Sequence, residues 1–203
     1  MKLFDGGMAP NPRRVRIFLA EKGVTVPMVS VDMTALGHKD EEVTKRNPLQ
    51  RLPVLELDDG TIISESIAIC RYFEEMHPEP PLMGVDATDR AVVEMWQRRM
   101  EMHLLLLVAN VFRHSHPAMA EWEVPQIEEF SQANRPKVAA SLEWINKELA
   151  DRPFIAGDRF TVADITAMIA MDFTKPARIQ PDPSLENLAR WYAEVKARPS
   201  ANA

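Results

Sequence analysis

Between Arg51 and Ser66 the chain constrains its own fold more tightly than anywhere else: Leu52-Pro53-Val54-Leu55-Glu56-Leu57, then Asp58-Asp59-Gly60, then Thr61-Ile62-Ile63-Ser64. Two short apolar runs around an Asp-Asp-Gly turn predict an antiparallel hairpin, because glycine supplies the positive φ that tight turns require. Pro53 stands just before the first strand, where a missing N–H is tolerated. The second run leads into Ser64-Glu65-Ser66 and an apolar-periodic helix carrying Ile67, Ile69, Cys70, Tyr72 and Phe73. Hydroxyls and unbonded N–H groups at a helix start suit a carboxylate, and Glu65 suits an ammonium, so the corner fits a small zwitterion. The same residues also make an ordinary helix cap. Taken alone, they leave both readings open.

The first eighty residues alternate in type. Lys2 to Asp5 predicts a strand, and Arg13 to Lys22 a helix stopped by Gly23. Val26 to Val31 predicts a second strand, and Asp40 to Arg46 a short charged helix or loop. With the hairpin and a helix from Glu65 to Met76, this order implies a mixed sheet with helices packed on it. The proline-dense segment His77-Pro78-Glu79-Pro80-Pro81 then breaks the pattern. Beyond it, Thr88 to Arg113, Glu123 to Ala150 and Leu185 to Ala197 all carry apolar residues at helical spacing. Thr161 and Asp164 form a capping-box pattern, with Phe160 and Ile165 as a hydrophobic staple. The predicted domains are 1–77, a linker 78–87, and an all-helical 88–203.

A net charge of −6 argues against nucleic acid or an anionic membrane as the main partner. One cysteine excludes an internal disulfide and the paired-cysteine metal motifs, and suits a reducing cytoplasm. No stretch resembles a signal peptide or a membrane span; the apolar run Leu104 to Phe112 is too short and includes Asn110. The expectation is a soluble, cytoplasmic protein.

Four blocks in order carry a resemblance: Asn11-Pro12-Arg13-Arg14-Val15-Arg16-Ile17 through Gly23; Asn47 through Leu55; Ser64 through Ile69; and Phe154 through Asp164. Over essentially its whole length the chain resembles the cytosolic glutathione transferase family. The resemblance implies α/β plus all-α architecture: a thioredoxin-like N-terminal domain followed by an all-helical C-terminal domain. Pro53 would be cis, with the backbone around Leu52, Pro53 and Val54, and Val54 above all, pairing with the cysteinyl unit of glutathione. Glu65 would bind the γ-glutamyl ammonium and Ser66 its carboxylate. His38, with Lys39 and Gln50 as further candidates, would meet the glycyl carboxylate. Glutathione would be the co-substrate, no metal would be needed, and a homodimer acting in detoxification is implied.

The loop after the first strand departs from the family. Gly6-Gly7-Met8-Ala9-Pro10-Asn11-Pro12 holds no Tyr, Ser, Thr or Cys to assist a thiolate, and Ala9 stands where a hydroxyl is expected. The donors that remain are the Asn11 side chain and the N–H groups of the following helix, while Asn11 before Pro12 also fits a helix cap. Arg13 and Arg14 would add positive field. Cys70 sits on an apolar helix face as a buried thiol. His103, His114 and His116 lack the i, i+4 spacing of helical zinc sites. A second substrate would meet Met8, Ala9 and the inner face of the first long helix, through Arg99, Met100, His103 and Leu104. Met95, Met100 and Met102 fit an adaptable pocket, although such a stripe is more often core or subunit interface. The implied reaction adds glutathione thiolate to an apolar electrophile; the alternatives are a glutathione-dependent disulfide reductase or peroxidase, and a non-catalytic binding protein of the same fold.

Overall fold

The computed structural model describes all residues, 1–203, which divide into two compact units: Met1–Leu82 with Pro199–Ala203, and Met83–Arg198. In the first, β1 (Lys2–Asp5) leads to α1 (Pro10–Lys22), β2 (Met28–Ser30), the short α2 (Glu41–Thr44), the hairpin β3 (Val54–Glu56) and β4 (Ile62–Ser64), and α3 (Ser66–Met76). The sheet order is β2-β1-β3-β4, with β1 and β2 parallel and the β1–β3 and β3–β4 pairs antiparallel. The alternation in the sequence thus becomes the mixed sheet that it implies.

Local chemistry fixes these elements. Gly60 turns the hairpin at φ 86°, and Thr61 closes it by accepting from the Leu57 N–H at 2.9 Å. Gly23, at φ 65°, stops α1 as a left-handed cap whose N–H donates to Ala20. The first helix begins at Pro10, three residues before the expected Arg13, because proline at the first helical position needs no N–H partner. Leu3, Val15, Phe18, Val54, Leu55, Ile69, Cys70 and Phe73 form a buried core. Lys22 ties the unit together: its ammonium pairs with Glu74 at 2.5 Å and reaches the Pro78 and Pro80 carbonyls at 3.2 and 2.5 Å. The chain's last residues return to α1, where Arg13 donates to the Ala201 carbonyl at 2.8 Å and the Ser200 hydroxyl donates to Glu21.

The second unit is helical: α4 (Ala87–Met100), a π-helical turn over Glu101–Leu105, α5 (Leu106–Ser115), α6 (Glu128–Glu148), α7 (Val162–Thr174) and α8 (Glu186–Lys196). The single helix expected over 88–113 is therefore interrupted, and the turn moves its carbonyls out of register. The Ser141 hydroxyl meets the His103 carbonyl there at 2.6 Å. The capping box at Thr161 and Asp164 forms as its spacing predicts. Asp164, wholly buried, also accepts from the Ile155 N–H at 2.8 Å and the Trp191 indole at 2.9 Å. No helix is long and apolar enough to cross a membrane.

Candidate functional site

Three pieces of the first unit carry the candidate residues: the loop between β1 and α1, the segment entering β3, and the corner between β4 and α3. At the corner, Glu65 holds φ 69°, a left-handed conformation uncommon for a residue with a side chain. Such strain persists only where its surroundings over-determine it, and it gathers at ligand sites. The Glu65 side chain is exposed, caps nothing, and makes no hydrogen bond or ion pair. Its backbone carbonyl accepts from the Ile69 N–H at 3.0 Å, which leaves the Ser66, Ile67 and Ala68 N–H groups without partners in the chain. One unpaired carboxylate thus stands beside a cluster of unbonded donors. Glu65 is thus the N-cap of α3 by position and through its carbonyl, while its side chain takes no part in the cap.

Ser66 opens α3, is buried, and accepts from Arg14 Nη1 at 2.9 Å. Arg14 itself is wholly buried. Sequence reasoning gave Arg14 only a diffuse positive field. The signal for more was its place four residues before Phe18, on an otherwise apolar helix face, where a cation demands a fixed partner.

In the segment entering β3 the Leu52–Pro53 bond is cis. The three backbone candidates, Leu52, Pro53 and Val54, are not equally free, although Val54 carries most of the expectation. Val54 lies in register with Phe4 on one side and Ser64 on the other, so its N–H and C=O belong to the sheet. The Leu52 N–H and C=O enter no hydrogen bond within the chain, because the residue stands before the ladder begins. Leu52 itself packs with Phe4, Val43 and Val54 beneath. The free backbone edge is therefore at Leu52, with Pro53 joining it to the sheet.

Candidates for the far carboxylate separate by exposure. His38 is only 2% exposed and packed, and burial, with Lys39 and Arg51 nearby, pushes its imidazole down from the ordinary histidine value. Lys39 is exposed and Gln50 is half-buried at φ 55°, so these two side chains are the more accessible of the three.

The loop after β1 is held by a clamp that sequence reasoning missed. Arg16 pairs with Asp5 at 2.5 Å and donates to the Gly7 carbonyl at 2.9 Å, while Asp5 accepts from the Gly7 N–H at 2.9 Å. Met8 is 83% exposed, and the Ala9 N–H reaches back to Gly6 at 3.4 Å. Ala9, not Asn11, is the N-cap of α1, and it has no side chain to cap with. The capping alternative for Asn11 is thereby removed. Pro10 and Pro12 have no N–H, and the Arg13 N–H bonds to Ala9 at 3.2 Å, so the first turn keeps one unbonded backbone donor, at Asn11. The Asn11 side chain is exposed and makes no hydrogen bond. Asn11 thus carries two unbonded donors, one on its backbone and one on its side chain. Arg13 turns its guanidinium to Ala201, away from any such role.

In the helical unit, Arg99 and His103 line a cleft of about 460 Å³ with Ala140, Ser141, Trp144 and Glu148. The Arg99 guanidinium lies 4.6 Å from the Trp96 ring, and the Trp96 and Trp144 rings stack 5.5 Å apart. Met100 and Leu104, expected to face a second substrate, are instead buried core residues. Met95 and Met102 are exposed and Met100 is not, which splits the methionine stripe. Cys70 is buried, and burial pushes its thiol up to about 12. His114 accepts from the Ile127 N–H at 3.1 Å, and His116 caps a short turn by accepting from the Ala118 N–H at 3.2 Å. Both imidazoles are thus spent on local structure.

The sequence model described as "Glutathione S-transferase, N-terminal domain" matches residues 1–75, and "Glutathione S-transferase, C-terminal domain" matches residues 96–199. "Glutathione S-transferase 2" of Saccharomyces cerevisiae is 35% identical, over 98% of this chain and 87% of that protein. A solved structure of a glutathione S-transferase domain-containing protein from Marinobacter aquaeolei VT8 superposes with a TM-score of 0.94 at 38% identity, over 98% of this chain and 99% of that one. The structure of Gtt2 from Saccharomyces cerevisiae also gives a TM-score of 0.94, at 35% identity, over 100% of this chain and 99% of that one.

Proposed function

Because the chain belongs to the cytosolic glutathione S-transferase family, we propose that its first unit binds glutathione as a thiolate and delivers it to a small apolar electrophile. The observation that carries this reading is the corner at Glu65 and Ser66. An unpaired carboxylate in a left-handed conformation adjoins a hydroxyl and three unbonded N–H groups, which matches the ammonium and carboxylate of a γ-glutamyl group. The unbonded Leu52 N–H and C=O suit the cysteinyl backbone, and Lys39 and Gln50 suit the glycyl carboxylate.

The thiol must be held as thiolate near neutrality against an ordinary pKa of about 8.5. The Asn11 amide and the Asn11 backbone N–H supply two donors at the positive end of α1, and both favour the charged sulfur. In a substitution, the thiolate lone pair forms a C–S bond at the electrophilic carbon and the leaving halide departs with its bonding pair. In an addition, the electron pair moves onto the acceptor and is then protonated from water. Loss of the usual hydroxyl favours a second reading, in which bound glutathione reduces a mixed disulfide. Aryl or alkyl transfer, a homodimeric assembly and a cytoplasmic, detoxifying role complete the proposal.

The test is calorimetric titration with reduced glutathione, followed by turnover of a chlorinated aromatic and of a glutathione mixed disulfide. Binding with faster turnover of the halide is the expected result. Absence of binding at millimolar glutathione overturns the proposal, and turnover of the disulfide alone replaces it with the reductase.

A further inference from the structure

The buried pair Arg14 and Ser66 has a chemical consequence at the ligand corner. A serine hydroxyl carries one proton and two lone pairs, and left to itself it rotates to donate or accept. Here the Arg14 guanidinium occupies a lone pair of Ser66 Oγ at 2.9 Å. A group that already accepts from a cation keeps its proton for another acceptor, and the cation polarises that O–H bond. Arg14 is wholly buried on α1 and Ser66 opens α3, so the guanidinium's position is set by packing on both helices. Beside Oγ stand the unbonded N–H groups of Ser66, Ile67 and Ala68. The Ser66 hydroxyl and these N–H groups are then all donors, with a fixed positive charge behind them and the Glu65 carboxylate beside them.

We propose that Arg14 is a positioning residue that commits the Ser66 hydroxyl to donation, so that the α3 corner selects a ligand carrying a free carboxylate next to its ammonium. This rests on the reading of the corner as the γ-glutamyl site and adds the residue that sets its selectivity. Arg14 does not touch the ligand; it acts through Ser66.

The test compares two ligands on the full chain by calorimetry: glutathione, and 4-aminobutyryl-cysteinyl-glycine, which lacks only the γ-glutamyl α-carboxylate. Removing a charge-assisted hydrogen bond predicts that Arg14→Gln weakens glutathione roughly tenfold and the analogue by less than about twofold. Ser66→Ala should do the same, and the double variant should be no worse than Ser66→Ala alone. Circular dichroism checks folding; if Arg14→Gln does not fold, the same ratio is read on Arg14→Lys, which keeps the buried charge but loses the planar fork. A merely structural arginine would weaken both ligands equally. Equal losses, or additive losses in the double variant, overturn the role of Arg14 while leaving the site intact. A parent protein that binds neither tripeptide overturns the γ-glutamyl reading, and this proposal with it.

Discussion

The Trp191 indole donates to the Asp164 carboxylate at 2.9 Å, so a residue of α8 is anchored to the first turn of α7. The same carboxylate accepts from the Ile155 N–H at 2.8 Å and from the Thr161 N–H and hydroxyl at 2.9 and 3.1 Å. Four donors converge on one side chain, and removing it would leave them buried without partners. Asp164→Ala is expected to cost about 3 kcal/mol or more. A loss below about 1 kcal/mol in urea unfolding would contradict this account.

Asp164 also carries a pH signature. Burial raises its carboxyl from the ordinary 3.8 to about 6, against the opposing pull of its four donors. The native state then keeps this proton to higher pH than the unfolded chain does. Its contribution to stability is complete below about pH 4 and declines as pH climbs through 6. The stability difference between the parent and Asp164→Asn should shift against the parent across that window, as read by urea unfolding at several pH values. A difference that grows in the parent's favour would show that the donors outweigh burial.

The capping box was legible because its partners lie three residues apart, and the hairpin because Asp-Asp-Gly admits one kind of turn. Tertiary partners were not legible. Nothing local tells that Trp191 would reach Asp164, that Ser66 would rest on Arg14, or that Ser141 would meet the His103 carbonyl. The π-helical turn at Glu101–Leu105 escaped for a related reason: its apolar spacing reads as continuous helix. The site splits the same way. Glu65 and Ser66 stand out as candidates by residue type, whereas the free backbone of Leu52, against the sheet-bound backbone of Val54, depends on where the ladder starts.

Cys70 is expected to be inert in the folded protein. It is buried, and burial holds its thiol at about 12, so almost no thiolate exists near neutrality. An aromatic disulfide reagent at pH 8 should label less than about a tenth of the chains in minutes, and all of them once urea unfolds the protein. Rapid labelling of folded protein would mean that α3 opens readily.

Glu65→Gln separates binding from stability. The carboxylate is exposed and makes no contact that the amide would lose, so unfolding should change by less than about 0.5 kcal/mol. Glutathione affinity should fall roughly tenfold, the scale of one lost charged hydrogen bond. A stability loss with unchanged affinity would return Glu65 to a structural role.

Asn11→Ala tests the unusual part of the proposed chemistry. Asn11 lies inside the first turn of α1, Ala9 is the cap, and the amide has no partner within the chain. Alanine suits a helix better than asparagine, so the fold should not suffer. If the amide steadies the sulfur, its loss should raise the pKa of bound glutathione by about one unit, equivalent to about 1.4 kcal/mol. Turnover of a chlorinated aromatic at pH 6.5 should then fall roughly tenfold, with glutathione affinity within about twofold. The rate should recover as pH rises past the new pKa, which a disordered loop would not produce. Unchanged turnover would leave the Asn11 backbone N–H, which alanine retains, as the donor of the first turn.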